Sequence, residues 1–282
     1  MADRLWVGND TPGDLSVAAN WSPAAVIADD DDVVFNATSN QSDITAGLDS
    51  HSGIEVESLH VHPTFTGKMG TSGSPLKLAT TASGRIIYQG NAGFFYENKR
   101  PVAEQTYRLF IDTDNLDDVV EISGVIDDVV VIKGRVTGLV GWSGNELHVS
   151  FRNNPFNDAQ FTLESSGGIP TVYQNGGIVT HTGATVLALN ISSGVFTQST
   201  AAGGMPNVTQ TGGTVVYKSG TSMTTLRLLG GIFDMSQDGR AKTISNLSVA
   251  PGAIFRPNAN TTIGSGSLNT NGSILPITDT TP

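Results

Sequence analysis

Short runs of alternating apolar and polar residues, each opened by glycine, recur at a nearly constant spacing between residues 166 and 256. The runs occupy residues 176–180, 194–197, 212–216, 230–234 and 252–255. Counted from the glycine next to each run, the steps are 17, 19, 18 and 21 residues. A short repeat of this kind is typical of a solenoid, in which each coil buries its apolar face against neighbouring coils. We therefore predict a stack of β-strand coils over this stretch.

The repeat also predicts which residues lie inside the stack, because side chains alternate between the two faces of a strand. The second position after each glycine is apolar and should form an internal column: Val179, Phe196, Val215, Phe233 and Ile254. A second strand in each coil supplies further core residues: Leu187, Leu189, Val208, Leu226, Leu228, Leu247 and Val249. The first position is mixed and should point outward: Ile178, Val195, Thr214, Ile232 and Ala253. The apolar members Ile178, Val195 and Ile232 predict a partner surface, which a homo-oligomer would cover by symmetry.

The rest of the chain is consistent with an all-β fold, because no stretch of ten or more residues has a clean helical apolar pattern. We predict a parallel β-helix with few or no helices, right-handed as such connections usually are. Four segments are expected: a cap with the first strands and coils (1–90), middle strands (91–165), regular coils (166–263) and a C-terminal tail (264–282). Trp6 and Trp21 flank a turn-rich loop and fit the cap. The alternative is an exposed tryptophan platform for a ligand.

Composition narrows the classes of partner. The 282 residues include 33 glycines and no cysteine, which suits tight turns and excludes disulfides and thiol catalysis. The net charge of −11 and the lack of a basic stripe argue against a nucleic-acid partner. No run approaches 18 consecutive apolar residues, so no membrane span is expected. The first residues lack the basic and apolar pattern of a secretory signal, so the chain is either made in the cytoplasm or has lost its leader; Met1 favours the first.

One segment departs from the strand pattern, because three consecutive aromatic residues precede a basic pair. Phe94, Phe95 and Tyr96 are followed by Lys99 and Arg100 in a chain that is otherwise acidic. One interpretation is a loop that docks onto a neighbouring protein, with the aromatic side chains as anchors and the basic ones facing acidic groups. The other interpretation is a long loop folded back on its own coil.

Acidic runs and paired histidines are the candidates for metal binding. Residues 29–32 are four aspartates, which suit either a solvated turn or Ca²⁺, whose ligands are oxygen atoms. The run at 112–118 resembles a calcium loop only loosely, because Leu116 occupies a ligand position and glycine is missing from the sixth. His60 and His62 should share one face of a strand, but no third ligand follows at a telling spacing. We expect no cofactor, with Ca²⁺ as the alternative.

Two groups of motifs lie within residues 5–80. The first comprises Trp6-Val7-Gly8 and Ala19-Asn20-Trp21-Ser22-Pro23; the second comprises Gly47-Leu48-Asp49, Ser58-Leu59-His60-Val61, Phe65-Thr66-Gly67-Lys68-Met69-Gly70 and Pro75-Leu76-Lys77-Leu78. Together they resemble β-solenoid virion proteins of tailed bacteriophages, of the capsid decoration or cement type. The resemblance implies a trimer on the outer capsid surface, bound to the major capsid protein where capsomers meet. A similar Trp-Gly and Asn-Trp pattern opens strand repeats in autotransporter passengers, a family that would also bring a secretion leader and a large C-terminal domain.

Three functions are compatible with these observations. The first is a structural virion protein that stabilises a capsid and needs no active site. The second is a receptor- or glycan-binding spike on a trimeric β-helix, with Trp142, Tyr96 and Phe95 stacking on sugars. The third is a polysaccharide lyase or hydrolase, which needs clustered carboxylates. Asp234 and Asp238 are the only acids between residues 166 and 256, and no nucleophile-elbow, zincin or P-loop motif occurs. We therefore expect a non-enzymatic protein of the capsid surface.

Overall fold

The computed structural model describes residues 2–10, 13–99, 108–114, 119–138, 144–149, 159–164, 168–199, 201–264 and 273–274. Within these residues the chain is all-β, and its helical structure is a single 3-10 turn at Ala18–Asn20. The strands pair mainly in parallel and stack as successive coils, which confirms the predicted β-solenoid. The chain divides into two compact units, Met1–Asn145 and Glu146–Pro282.

The described residues of the first unit form nine strands: β1 (Asp3–Trp6), β2 (Trp21–Ser22), β3 (Asp32–Phe35), β4 (Glu55–Val61), β5 (Leu76–Tyr88), β6 (Phe94–Asn98), β7 (Arg108–Asp112), β8 (Val120–Gly124) and β9 (Asp128–Gly138). Strands β3, β4, β5, β7 and β9 stack in parallel, and so do β5, β6 and β8. One internal column runs through the first stack in register: Val33, Leu59, Ile86, Leu109 and Val129. All five side chains are buried, so coil packing also forms the core here.

An aromatic cluster closes the N-terminal part of the first unit. The rings of Trp6 and Trp21 meet edge to face with centroids 5.1 Å apart, and Phe35 packs against both. Both indoles are buried, and their N–H groups donate to the backbone carbonyls of Asn40 and Leu15. Because the rings are covered and their polar atoms are satisfied, the tryptophans are core residues and offer no platform for a ligand.

Twelve strands lie in the described part of the second unit: β10 (Glu146–Val149), β11 (Ala159–Leu163), β12 (Ile169–His181), β13 (Val186–Gln198), β14 (Asn207–Gln210), β15 (Thr214–Tyr217), β16 (Met223–Leu228), β17 (Ile232–Asp234), β18 (Lys242–Val249), β19 (Ile254–Arg256), β20 (Thr261–Ile263) and β21 (Ser273–Ile274). Two internal columns are in register: Phe161, Val179, Phe196, Val215, Phe233 and Phe255, and then Leu147, Val172, Leu189, Val208, Leu226 and Leu247. All twelve side chains are buried. Val179, Phe196, Val215 and Phe233 thus lie inside as predicted.

Two predicted core positions are wrong. Phe233 pairs with Phe255, not Ile254, so Phe255 is the internal residue of the last coil and Ile254 is the outward one. The internal positions of these two strands are one residue further apart than the two corner glycines are. The internal position therefore falls on Phe255 and not on Ile254. Leu187 is also misplaced: it is 50% exposed, whereas Val186 and Leu189 on the same strand are buried.

Glycines at the corners of the second unit allow the coils to stack closely. Gly177, Gly194, Gly213 and Gly231 all have positive φ, which disfavours other residues. A Cβ atom on Gly194 would lie 2.4 Å from the carbonyl oxygen of Gly177 in the preceding coil. Glycine is therefore required there both by the backbone conformation and by the contact.

Polar side chains at the strand ends hold the adjoining loops. His181, Gln198 and Tyr217 occupy one buried column, in register across β12, β13 and β15. Nε2 of His181 lies 2.6 Å from the carbonyl oxygen of Ala184. Gln198 donates to the carbonyl oxygen of Gly203, and Tyr217 donates to the carbonyl oxygen of Thr221. Each coil thus satisfies a carbonyl of its own loop with a buried side chain.

Candidate functional site

An uncharged outward face is the main candidate surface of the second unit. Its first column consists of Ile178, Val195, Thr214, Ile232 and Ile254, and its second of Thr180, Thr197 and Val216. We call these eight residues the apolar face. All are partly exposed, and all point away from the internal column. The five strands stand about 4.8 Å apart, which gives the face a height of about 19 Å.

The structure brings together the three apolar residues that the repeat placed outside. Ile178 pairs with Val195, and Ile232 is separated from Val195 by Thr214 alone. The register shift adds Ile254 to the same column. The face ends at Asp234 and Arg256, whose charged groups lie 3.5 Å apart. Sequence reasoning therefore found four of the eight residues and missed Ile254 and the second column.

The predicted aromatic loop is wrong, because Phe94, Phe95 and Tyr96 belong to β6. Phe94 is fully buried and stacks on Tyr88 with centroids 4.6 Å apart. Tyr96 is buried too, and its hydroxyl donates to the carbonyl of Leu78 at 2.8 Å; burial raises its pKa far above the usual range. Neither ring can anchor a partner or stack on a sugar in this fold, because both fill the coil interior.

The other members of this segment differ in their surroundings. Phe95 is 8% exposed, and the ammonium of Lys68 lies 5.1 Å from its ring centroid. Lys99 is exposed and forms a 2.5 Å ion pair with Glu97 on the same segment. Arg100 and Trp142, which the sequence also singled out, lie outside the described residues. The segment as a whole is therefore a covered strand with one charged end.

A groove lies beside β6 on the outer side of β5, β6 and β8. Lys77 pairs in register with Glu97, and Glu97 with Ser123; Phe95 pairs with Glu121 in the neighbouring column. These five side chains line the groove together with the turn at residues 72–75. Sequence reasoning missed Lys77, Glu97 and Glu121, because they are 20 and 24 residues apart and meet only once the strand register is known.

The acidic run at 29–32 is part of the scaffold. Asp31 accepts from Arg4 at 2.7 Å and from the backbone N–H of Ala28 at 2.9 Å. Burial alone would raise the pKa of Asp31, but these hydrogen bonds and the Arg4 charge hold it below its ordinary value. Asp32 accepts from Ser58 at 2.5 Å. In the described part of the chain, no three His, Asp or Glu side chains are arranged to hold a metal ion.

His60 and His62 share one face of β4, as the strand period predicts. Their rings stack with centroids 4.0 Å apart, and Nε2 of His60 lies 3.2 Å from Oε1 of Gln89. Burial and the neighbouring His60 lower the pKa of His62. Since no further imidazole or carboxylate in the described residues completes a metal site with them, the pair does not support metal binding.

Two other histidines make stability depend on pH. Burial lowers the pKa of both His51 and His181 below the ordinary value of 6.5. The unfolded chain therefore takes up protons first as pH falls through 6.5, so these groups stabilise the fold above that pH and lose this contribution below it.

We expect His181→Gln to reduce this acid sensitivity. Glutamine occupies the equivalent place at Gln198, where it donates to a loop carbonyl, so the variant should keep the hydrogen bond. The slope of unfolding free energy against pH between 5 and 6.5 should fall by up to about 1.4 kcal/mol per pH unit. Urea unfolding at a series of pH values measures this, and an unchanged slope would show that His181 titrates normally in the folded chain.

Comparisons with protein-family models, curated protein sequences and solved structures found no match. No helix among the described residues is long and apolar enough to cross a membrane. The functional argument therefore rests on the fold and on the surfaces of the chain.

Proposed function

We propose that this chain is a non-enzymatic structural protein of a tailed-bacteriophage virion, which forms homo-oligomers and binds the outer capsid surface as a decoration or cement protein. The observation that carries the assembly part is the apolar face. The chain has a net charge of −11, so two copies repel one another wherever their acidic surfaces meet. A face of eight uncharged residues, four of them Ile or Val in one column, offers an approach without that repulsion.

The virion part of the proposal rests on the resemblance carried by residues 5–80. Trp6 and Trp21, which belong to that resemblance, are core residues of the cap. A solenoid core whose coils each bury apolar columns against their neighbours suits a protein that must stay folded on a particle surface. The partner in this proposal is the major capsid protein, and the assembly is a trimer.

The assembly is tested by placing a charge on the apolar face. We expect the wild-type chain to sediment as a trimer at micromolar concentration, and Val195→Lys with Ile232→Lys to sediment as a monomer. Both side chains are only partly buried, so unfolding free energy should change by about 1 kcal/mol or less per site. Leu187→Lys, at an exposed position off the face, is the control and should stay trimeric.

If the wild-type chain sedimented as a monomer in the same experiment, the apolar face would not be an assembly surface. The virion role has its own test, which is addition of the purified protein to expanded capsids that lack decoration. We expect saturable binding and a rise in the temperature at which the capsid opens. Absence of binding to such capsids would overturn the decoration role while leaving the oligomer intact.

A further inference from the structure

A second outward column of the second unit carries side chains of a different chemistry from those of the apolar face. It lies beside the internal column that begins at Leu147, and in β12 the corner at Gly177 separates it from the apolar face. Strand pairing places one member from each of six successive coils in register: His148, Tyr173, Asn190, Thr209, Arg227 and Ser248. We call these six residues the polar column. All of them are partly or fully exposed, and the assembly proposed above uses none of them.

Tyr173 presents one face of its ring to the next coil. The ring of His148 stacks on the other face, with centroids 4.8 Å apart and planes inclined by 14°. This distance equals the spacing of neighbouring strands, so the two rings stack in the direction in which the coils stack. His148 is held in turn by Glu146, whose Oε2 lies 2.9 Å from its Nε2. The next member of the column is Asn190, and the second face of the tyrosine ring projects beyond this shorter side chain.

The polar groups that follow Tyr173 in the column are unused. Within the described residues, the side chains of Asn190, Thr209 and Arg227 make no hydrogen bond and no ion pair. The asparagines of the adjacent column, Asn207 and Asn246, instead donate to backbone carbonyls of the preceding coils. Asn190 therefore does not tie one coil to the next. Its amide, the Thr209 hydroxyl and the Arg227 guanidinium are all available to a ligand.

Arg227 gives the polar column a positive charge near one end. Its neighbours in register, Thr209 and Ser248, are uncharged, and so is Thr225 on the same face of its strand. In a chain with a net charge of −11, this exposed arginine provides a local attraction for an anionic group. One arginine suits a ligand with few negative charges better than a nucleic acid, which is held through several phosphates.

We propose that the polar column binds an acidic oligosaccharide. The C–H groups of one sugar ring pack on the exposed face of Tyr173, because the face of an aromatic ring is electron-rich. The sugar hydroxyls both donate and accept, as do the amide of Asn190 and the hydroxyl of Thr209 that pair with them. The acidic group accepts a charge-assisted hydrogen bond from Arg227. Three strand steps, about 14 Å, separate Tyr173 from Arg227, so the ligand has more than one sugar ring. This inference is independent of the proposed capsid role.

A glycan array of neutral, carboxylated and sulfated oligosaccharides tests the proposal, followed by calorimetry with the strongest acidic ligand. We expect acidic members to bind at least about tenfold more tightly than neutral ones of the same length. Arg227→Gln should weaken binding at least about tenfold and reduce its dependence on salt, because the ion pair is lost. Arg135→Gln, at an exposed arginine of β9, is the matched control and should bind as the wild type does.

Two substitutions at Tyr173 test the ring contact separately from the charge. Tyr173→Ser removes the ring and should weaken binding at least about tenfold without changing its dependence on salt. Tyr173→Phe keeps the ring and should retain binding, and urea unfolding checks that both variants are folded. The proposal is overturned if no acidic oligosaccharide binds, if neutral ones bind as tightly as acidic ones, or if either Arg227→Gln or Tyr173→Ser binds as tightly as the wild type.

Discussion

Phe233→Asp is expected to unfold the coils around β17 and to lower the unfolding free energy by about 5 kcal/mol or more. The ring lies in the internal column, with Tyr217 and Phe255 at centroid distances of 6.0 and 6.3 Å. The substitution removes this packing and places a carboxylate among buried apolar side chains. Because each coil is stabilised only by its neighbours, the loss should spread beyond the mutated strand.

The neighbouring position provides a matched control for this effect. Ile232→Asp introduces the same side chain one residue earlier, where the strand points outward, and should leave each chain folded. Urea denaturation followed by circular dichroism compares the two variants directly. If Phe233→Asp melted like Ile232→Asp, the assignment of the internal column would be incorrect.

Asp238→Asn is expected to cost about 3–5 kcal/mol, because it leaves a buried ammonium without its counter-charge. The Lys242 side chain is fully buried, and its Nζ lies 2.7 Å from Oδ2 of Asp238. Arg240 donates to the same carboxylate at 3.1 Å. Burial acts to raise the pKa of Asp238, but the hydrogen bonds from Lys242 and Arg240 outweigh it and lower the pKa to about 2.

The sequence alone presents Asp234 and Asp238 only as the acids between residues 166 and 256 that an enzyme could use, whereas the structure gives Asp238 a structural partner. Asp234→Asn is the control: its partner Arg256 is 42% exposed, so the change should cost about 1 kcal/mol or less. The double variant Asp238→Asn with Lys242→Met should recover most of the stability by removing the unpaired charge. Equal melting of the two single variants would contradict a structural role for Asp238.

The lowered pKa of Asp238 also predicts how the stability of the fold changes in acid. The folded pKa of about 2 lies below the ordinary 3.8, so the stabilisation by Asp238 is complete above pH 3.8 and is lost as pH falls towards 2. The histidine effect occurs at higher pH, below 6.5. Two separate losses of stability should therefore appear in an acid titration.

The sequence predicts the coil architecture because glycine corners and strand alternation are local signals. It fails where a coil changes length. In the last step of the repeat, Gly252 suggests one register, but one added residue places Phe255 inside instead of Ile254. A glycine at positive φ indicates a corner. It does not indicate how many residues lie between that corner and the internal position of the following strand.

The aromatic segment illustrates a second limit. Three consecutive aromatic residues do not show strand alternation, because the outward side of β6 is itself covered. Phe94 and Tyr96 point into the core, and Lys68 covers Phe95. The groove could not be predicted for a related reason: Lys77, Glu97 and Glu121 become neighbours only through the pairing of β5, β6 and β8.

The uniformity of the apolar face has a consequence for how two copies would align. The first three coils present nearly the same pair of side chains, each about 4.8 Å above the last. A copy displaced by one coil would therefore contact almost the same surface. Shape complementarity alone would not distinguish the two alignments. The Asp234 and Arg256 pair at the end of the face breaks the repetition, because a displaced partner would set its apolar residues against these charges. This ion pair would therefore favour one alignment of the two copies over the alignments that are displaced by one or more coils.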